Sequence, residues 1–200
     1  MIVKKKESTL VNMVVVLFVI TLASGLSLGY VNDLTLAPKA AAKLAKKTAA
    51  LKGVLPEFDN DPVAESMRFP SQMAKDSLEI YPAFQNNAFV GAAVTGASEK
   101  GYNGLVRLMV GFEPDGRIRN IVVLEQKETP GLGTKMTGEK FMSQFRGINP
   151  ATFKLKVKKD GGEVDALAGA TISTRAFAEA ALEAYGAFLE HRESLVKNEN

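Results

Sequence analysis

Asp165-Ala-Leu-Ala-Gly-Ala-Thr171-Ile-Ser-Thr174 is the stretch around which this 200-residue chain is organised. It follows a polar, glycine-rich turn, Lys159-Asp-Gly-Gly162, and precedes the clearest amphipathic pattern in the sequence. Small residues at 169 and 170 let another group approach the backbone, and hydroxyl residues crowd the expected helix start. A helix N-terminus has free N–H groups and a partial positive charge, so the stretch suits a phosphate. An ordinary N-cap role for Ser173 or Thr174 explains the same hydroxyls, and the local pattern leaves both interpretations open.

The composition excludes several classes of function. The chain has no cysteine, which excludes disulfides, iron–sulfur ligation and thiol catalysis. Its one histidine, His191, lies in a charged tail, so we predict no metal ligand and no catalytic triad. The net charge of +3 comes mainly from lysines near the N-terminus. The sequence therefore predicts no basic face on the folded domain, which nucleic-acid binding would need. Any redox chemistry therefore requires an organic cofactor.

An apolar run from Leu10 to Val31 predicts a membrane anchor. Residues 8–32 carry no charge, and a helix of about 20 residues spans a bilayer core of about 30 Å. A cleaved signal peptide has a shorter apolar core with a small-residue cleavage site close behind, and this run fits neither feature. We predict a cytoplasmic N-terminus over residues 1–9 and a transmembrane helix over 10–31. Lysines flank both ends of the run, so charge alone does not settle its orientation.

Residues 32–84 are predicted to connect the anchor to a folded domain. Residues 38–52 combine strong helix propensity with few large apolar side chains, which predicts a polar stalk helix that begins near Pro38. Prolines punctuate the rest of the segment. We expect it to wind over the domain surface, with one short helix near residues 71–78.

The remainder of the chain alternates between strand and helix patterns. The predicted strands cover residues 89–95, 105–112, 117–125 and 153–159. A glycine-rich loop is expected over 98–104, and Glu113-Pro-Asp-Gly116 predicts a hairpin turn. The predicted helices cover residues 137–146 and 173–191, the second with an apolar stripe. The pattern predicts a single α+β domain over residues 85–192, a twisted antiparallel sheet with packed helices, followed by a polar tail over 193–200.

Glu128-Thr-Pro-Gly-Leu-Gly133 is a second candidate element of a site. Glycines on both sides of Leu132 predict a tight loop whose backbone N–H groups face a ligand. The spacing is not that of a phosphate-binding P-loop, and a glycine-rich loop on its own is more often a structural turn. The loop lies about 40 residues before Gly169-Ala-Thr171, the other candidate element.

Taken in order, four features resemble one known family. They are the anchor, the Gly101-Tyr-Asn-Gly104 loop with its hairpin, Glu128-Thr-Pro-Gly-Leu-Gly133 and Asp165-x-x-Ala-Gly-Ala-Thr171. Together they resemble the covalent FMN-binding domain of the G subunit of the Rnf ion-translocating electron-transport complex. The related C subunit of the sodium-pumping NADH:quinone oxidoreductase is the alternative, although its chains tend to be longer.

The resemblance implies that FMN is attached by a phosphoester to the last residue of the motif D-x-x-[ST]-G-A-[ST], which is Thr171 here. Asp165, Gly169 and Ala170 match this motif, whereas Ala168 stands where serine or threonine is usual. The other implied cofactor-binding residues are Glu128, Thr129, Gly131, Leu132, Gly133 and Ser173.

The resemblance also implies a function and partners. The chain would relay electrons inside a membrane complex, between ferredoxin and NAD, coupled to movement of Na⁺ or H⁺, and would turn over no substrate alone. The implied partners are other membrane subunits, a flavin transferase and the membrane, with no nucleic acid. The implied location is the bacterial inner membrane, with the soluble domain on the periplasmic side. An alternative of another class is a membrane-anchored binding module whose hydroxyls merely cap a helix.

Overall fold

The computed structural model describes residues 9–71, 73, 75 and 77–196, and the chain divides into two compact units, Met1–Ala45 and Lys46–Asn200. The first unit, from residue 9 onward, consists almost entirely of the larger part of helix α1 (Leu10–Val54). Among the described residues, α1 is the one helix long and apolar enough to cross a membrane, judged by length and composition. Its most apolar window has a mean hydropathy of 2.3 and no buried residue.

Helix α1 continues through Pro38, so the prediction of a separate stalk helix beginning there is wrong. A proline inside a helix removes one backbone hydrogen bond, but the alanines and lysines around it favour helix strongly enough to continue it. The predicted stalk was a polar, solvated helix, but its C-terminal end is buried. Ala50, Leu51 and Val54, in the last turns of α1, are buried in the second unit.

A five-stranded antiparallel sheet forms the centre of the second unit, which confirms the predicted α+β class. The strands pair in chain order, each with the next one along the sequence. They are β1 (Met67–Pro70), β2 (Ser77–Gln85), β3 (Ala88–Gly101), β4 (Gly104–Phe112) and β5 (Ile118–Glu125).

The sheet extends further towards the N-terminus than the sequence predicted. β1 and β2 lie in the segment expected to wind over the surface, and β2 begins at Ser77, inside the helix predicted near 71–78. Residues 72, 74 and 76 of that range lie outside the described residues. The β2 side chains are buried on both faces of the sheet, Leu78 and Ile80 on one and Tyr81 on the other. A strand buried on both faces lacks the polar alternation by which sequence patterns are recognised.

The hairpins of the sheet correct one prediction and confirm another. The glycine-rich loop predicted over 98–104 is mostly strand, because β3 continues to Gly101 and only Tyr102 and Asn103 form the turn. The hairpin predicted at residues 113–116 is confirmed. Gly116 adopts a φ of +87°, and its N–H donates to the Glu113 carbonyl at 2.9 Å.

Helices cover both faces of the sheet. Helix α3 (Thr171–Val196) packs on one face with the predicted stripe, in which Phe177 and Phe188 are fully buried. The end of α1 packs on the opposite face against Tyr81 and Met109. Glycines permit this close packing: a Cβ at Gly96 would lie 2.0 Å from a carbonyl oxygen of α3, that of Ala180.

A charged cluster attaches the end of α1 to β2. Lys47 Nζ lies 2.7 Å from Glu79 Oε2, and the Tyr81 hydroxyl donates to the same carboxylate. Burial alone would raise the pKa of Glu79, but the hydrogen bonds from Lys47 and Tyr81, with the charges of Lys47 and Arg68, lower it below its usual value. Burial and the adjacent carboxylate raise the pKa of Tyr81. The Glu79 carboxylate therefore links Lys47, near the end of α1, to Tyr81 on β2.

The connection between β5 and α3 holds short helical turns. Helix α2 (Glu139–Met142) lies between 3₁₀ turns over Gly133–Thr137 and Ser143–Phe145, so the helix predicted over 137–146 is only partly regular. Its two phenylalanines, Phe141 and Phe145, are buried as predicted, with ring centroids 5.3 Å apart.

The edge strand predicted over residues 153–159 is wrong. Within it, Val157 makes a single parallel bridge, to Val164. The alternation does reflect burial, because Leu155 and Val157 are buried between exposed lysines. The chain turns back over residues 158–162 and bonds to itself, so no neighbouring strand is needed to satisfy its backbone.

Candidate functional site

A cavity of about 510 Å³ lies where three segments meet: the β3–β4 turn, the loop after β5 and the start of α3. The two motifs singled out in the sequence come together here. The lining residues are Tyr102, Glu128, Thr129, Leu132, Gly133, Gly169, Ala170, Thr171, Ile172 and Ser173. Of the predicted cofactor-binding residues, Gly131 is the one that does not line the cavity.

Thr171 is the first residue of the 26-residue helix α3, and its side chain is half-buried at the cavity. The Thr174 N–H donates to the Ala170 carbonyl at 3.0 Å, so the N–H groups of Ile172 and Ser173 precede the first bond within the helix. These N–H groups and the helix dipole favour a negative charge at this end. A negatively charged group is therefore favoured beside Thr171.

The segment before Thr171 approaches the loop after β5 closely. Gly169 adopts a φ of +74°, which is unfavourable for other residues, and a Cβ there would lie 3.3 Å from Leu132 Cδ2. Glycine at this position therefore allows both the positive φ of the turn and the close approach of Leu132. Both residues line the cavity, on opposite segments.

Ser173 and Thr174 do not cap α3, because the helix begins at Thr171, two residues earlier than predicted. The Ser173 hydroxyl instead donates to Glu128 Oε2 at 2.6 Å. The Thr174 hydroxyl donates to the Ala170 carbonyl and accepts the Leu167 N–H, both at 3.0 Å. Both hydroxyls thus attach the first turn of α3 to the loops in front of it.

Glu128 is a buried carboxylate that joins all three segments of the cavity. Its side chain is 4% exposed. Oε2 accepts the Ser173 hydroxyl from α3, and Oε1 accepts the Asn103 N–H from the β3–β4 turn at 3.2 Å. Buried polar groups need such partners, so these contacts hold the carboxylate in place.

Two glycines make room for the Glu128 side chain. A Cβ at Gly133 would lie 2.6 Å from Glu128 Cβ and 2.7 Å from Ser173 Oγ. A Cβ at Gly101 would lie 2.5 Å from Glu128 Oε1. All three distances are shorter than a Cβ contact allows, so a side chain at either position would force its neighbours to shift. The second glycine of the Glu128–Gly133 motif therefore serves a contact inside the protein.

The prediction that the Glu128–Gly133 loop directs its N–H groups at a ligand does not hold for two of them. The Gly131 N–H donates to Thr134 Oγ1 at 3.0 Å, and the Leu132 N–H donates to the Thr129 carbonyl at 3.1 Å. A Gly-rich loop of this length forms such turns internally. The loop lines the cavity mainly with the side chains of Glu128, Thr129 and Leu132.

Three large side chains at the cavity are exposed. Leu132 is 42% exposed, Ile172 45% and Tyr102 67%. Single exposed apolar side chains are common, but three around one concavity form a surface for a ligand. Their apolar surfaces suit a ligand with an apolar part.

Sequence reasoning missed some of the residues at this site, and two residues of the Asp165–Thr171 motif lie outside the cavity. Ile172 was not predicted, and Asn103 contributes only a backbone N–H, which no side-chain pattern reveals. Asp165 lies outside this cavity, exposed and paired with Lys158 at 2.7 Å. Ala168 is also exposed and outside it, and nothing in the structure explains alanine at this position. Among the described residues, no cluster of potential ligands could hold a metal ion.

We expect Glu128→Ala to lower the free energy of unfolding by about 1–3 kcal/mol, because the Ser173 hydroxyl and the Asn103 N–H lose a buried acceptor. Urea unfolding of Glu128→Ala, Ser173→Ala and the double variant measures the coupling directly. The exposed Glu190→Ala is the control and should change stability little. Losses that simply add in the double variant would contradict the contact.

Comparison with known proteins identifies the domain that contains the cavity. A family model described as FMN-binding domain matches residues 101–186, a range that includes all the lining residues. The G subunit of the ion-translocating oxidoreductase complex of Stutzerimonas stutzeri is 35% identical over 160 residues, 76% of this chain and 69% of that protein. The G subunit of the complex of the same name in Cereibacter sphaeroides is 34% identical over 183 residues, 88% of this chain and 83% of that protein.

Two further similarities are weaker. The G subunit of the Na(+)-translocating ferredoxin:NAD(+) oxidoreductase complex of Acetobacterium woodii is 29% identical over 172 residues, 80% of this chain and 83% of that protein. The crystal structure of Shewanella oneidensis NqrC has a TM-score of 0.47 and 20% identity and covers 70% of each chain. A structural likeness of that size supports no conclusion.

Proposed function

Since this chain belongs to the family of G subunits of ion-translocating oxidoreductase complexes, we propose that it carries FMN covalently on Thr171 and relays electrons within such a complex. The family predicted from the sequence motifs is confirmed, and the site lies in an FMN-binding domain. The covalent linkage and its position are our proposal.

The position of Thr171 is the observation that supports the proposal most strongly. A hydroxyl residue stands at the first position of a long helix and lines a cavity with exposed apolar side chains. The helix start suits the phosphate of FMN, and Leu132, Ile172 and Tyr102 suit its ring. FMN and the residues present therefore fit each other.

When bound, FMN supplies one-electron and two-electron chemistry that protein side chains lack. The residues at the cavity would hold it. Glu128, Ser173 and Asn103 keep the three segments of the cavity together. Leu132, Ile172 and Tyr102 would cover part of the ring and so reduce its contact with water. An ester bond to Thr171 keeps the cofactor with the chain even when the noncovalent contacts open.

Attachment requires an activated flavin donor, because an ester does not form from a free phosphate and an alcohol in water to a useful extent. We propose FAD as the donor and a flavin transferase as the catalyst. Thr171 Oγ1 bonds to the FMN phosphorus, the bond from that phosphorus to the bridging pyrophosphate oxygen breaks, and AMP leaves. The hydroxyl proton passes to a base of the transferase, and no electrons are transferred.

Mass spectrometry of the full-length chain, made together with a flavin transferase, tests this proposal. We expect a mass increase of one FMN less one water, located on the peptide that contains Thr171. The denatured chain should also show flavin fluorescence on a gel. A chain that loses all its flavin on denaturation would favour the alternative, a binding module whose hydroxyls have no acceptor role.

The partners and the coupling reaction are proposed from the family. The name of the Acetobacterium woodii relative states a ferredoxin:NAD⁺ reaction with Na⁺ translocation. We propose the same reaction for the complex that contains this chain, with other membrane subunits as partners and Na⁺ or H⁺ as the coupling ion. Uptake of Na⁺ or H⁺ by vesicles that contain the complex, driven by reduced ferredoxin and NAD⁺, tests both the reaction and the identity of the coupling ion. Reduction of quinone by NADH instead would favour the NADH:quinone oxidoreductase alternative.

We further propose that α1 spans the bacterial inner membrane and that the FMN-binding domain lies on the periplasmic side. The length and apolar exposure of α1 support the anchor. Because the chain has no cysteine, single-cysteine variants report the side directly. A membrane-impermeant maleimide should label Lys159→Cys, at an exposed position, in intact spheroplasts. Lys5→Cys should be labelled only after lysis, and the reverse pattern would place the domain in the cytoplasm.

A further inference from the structure

We propose that Gln144 is a positioning residue that holds residues 165–170, here called the acceptor segment, in the shape a flavin transferase binds. The inference rests on the proposed attachment of FMN to Thr171. It concerns a residue outside the FMN cavity, in a part of the chain that the motifs did not include.

The Gln144 side chain forms hydrogen bonds with both the N–H and the carbonyl group of Asp165. Gln144 Oε1 accepts the Asp165 N–H at 2.8 Å, and Gln144 Nε2 lies 3.4 Å from the Asp165 carbonyl oxygen, to which it donates. Nε2 also donates to the Phe141 carbonyl at 3.0 Å. An amide that pairs with both polar groups of one residue acts on the backbone as a neighbouring strand does.

The residue is itself held firmly. Gln144 lies in the 3₁₀ turn Ser143–Phe145, directly before Phe145, which is completely buried. Phe141, one turn earlier, is 5% exposed and packs edge-on against Phe145 and against Phe177 of α3. The amide is therefore attached to the hydrophobic core, although the segment that it binds is at the surface.

The acceptor segment has few other contacts near Asp165. Residues 165, 166, 168 and 169 are exposed, and only Leu167 and Ala170 are at least partly buried. Farther along, Thr174 Oγ1 accepts the Leu167 N–H, so the segment is bound at its end as well. The Asp165–Lys158 ion pair is exposed on both sides and contributes little. Gln144 is thus the main contact that orders the beginning of the segment.

An exposed segment of fixed shape suits recognition by an enzyme. Ordering a flexible segment costs free energy when a partner binds it, and a segment that is already ordered avoids this cost. A cavity of about 670 Å³ lies beside the segment, lined by residues 165–168 and by Lys135, Lys140 and Gln144. It leaves this side of the segment open to the transferase, while Thr171 faces the FMN cavity.

The test measures initial rates of flavin incorporation into the detergent-solubilised, full-length chain that lacks FMN. The reagents are purified flavin transferase and FAD, with the concentration of the chain varied. We expect Gln144→Ala to lower kcat/KM about tenfold, through a higher KM with kcat unchanged, as the loss of two hydrogen bonds implies. Gln144→Glu keeps an acceptor for the Asp165 N–H but loses the donor, so it should fall between the wild type and Gln144→Ala.

The control Gln85→Ala makes the same change at a position remote from the acceptor segment and should incorporate flavin at the wild-type rate. An unchanged kcat/KM for Gln144→Ala would overturn the inference and leave the attachment to Thr171 standing. A lowered kcat together with a lowered midpoint of thermal unfolding would also overturn it, because a merely structural role explains that result. A wild-type chain that takes up no flavin, under conditions that modify a known substrate protein, would overturn the proposed function as well.

Discussion

Thr171→Ala is expected to abolish the flavin that remains with the chain through denaturation. The variant lacks the oxygen that forms the ester, so the loss should be complete at any length of incubation. The fold should change little, because Thr171 is only half-buried. The side-chain hydrogen bonds that hold this turn come from Ser173 and Thr174 instead. Flavin fluorescence on a denaturing gel and the intact mass of the full-length chain measure the outcome.

Two matched variants test whether Thr171 itself is the acceptor. Thr171→Ser retains a hydroxyl at the same position and should still carry covalent flavin. Thr129 lines the same cavity and offers a second hydroxyl, so Thr129→Ala should retain flavin if Thr171 is the acceptor. The assignment would be wrong if Thr171→Ala still carried flavin after denaturation and Thr129→Ala did not.

Gly96→Ala is expected to be the most destabilising single substitution of a small residue in the sheet. The new Cβ would lie 2.0 Å from the Ala180 carbonyl oxygen and 3.0 Å from Ala184 Cβ. Neither the backbone of α3 nor that of β3 can yield locally, so the helix must move away from the sheet. We expect a loss of about 3 kcal/mol in the free energy of unfolding, at the upper end for overpacking. Because α3 begins at Thr171, flavin incorporation should fall in the same variant.

Gly186→Ala provides the matched control on the same helix. Gly186 is exposed, and no atom outside the helix lies within 4 Å of the position of its Cβ. Alanine in a helix interior is favoured over glycine by about 0.5–1 kcal/mol, so this variant should be more stable than the wild type. Urea unfolding of both variants measures the difference. Equal midpoints for Gly96→Ala and the wild type would contradict the close packing of α3 on β3.

Features that depend on neighbours in the chain were predictable from the sequence. The apolar run of α1, the hairpin at residues 113–116 and the apolar stripe of α3 all follow from local periodicity and turn chemistry. The two motifs of the site were also visible, and the structure places them on one cavity. Local patterns failed for β2, because that strand is buried on both faces of the sheet and has no polar face. They also failed for residues 153–159, because this segment forms its hydrogen bonds within its own loop rather than with a neighbouring strand.

The sequence by itself determined the family of the chain and the hydroxyl residue proposed to accept FMN, because both depend on short motifs of characteristic spacing. Only the tertiary structure decided how that residue is held. The Glu128 contacts with Ser173 and Asn103 span 45 and 25 residues, and the Gln144 contact with Asp165 spans 21. Such contacts depend on where the sheet brings distant segments together, and no local pattern of side chains records that.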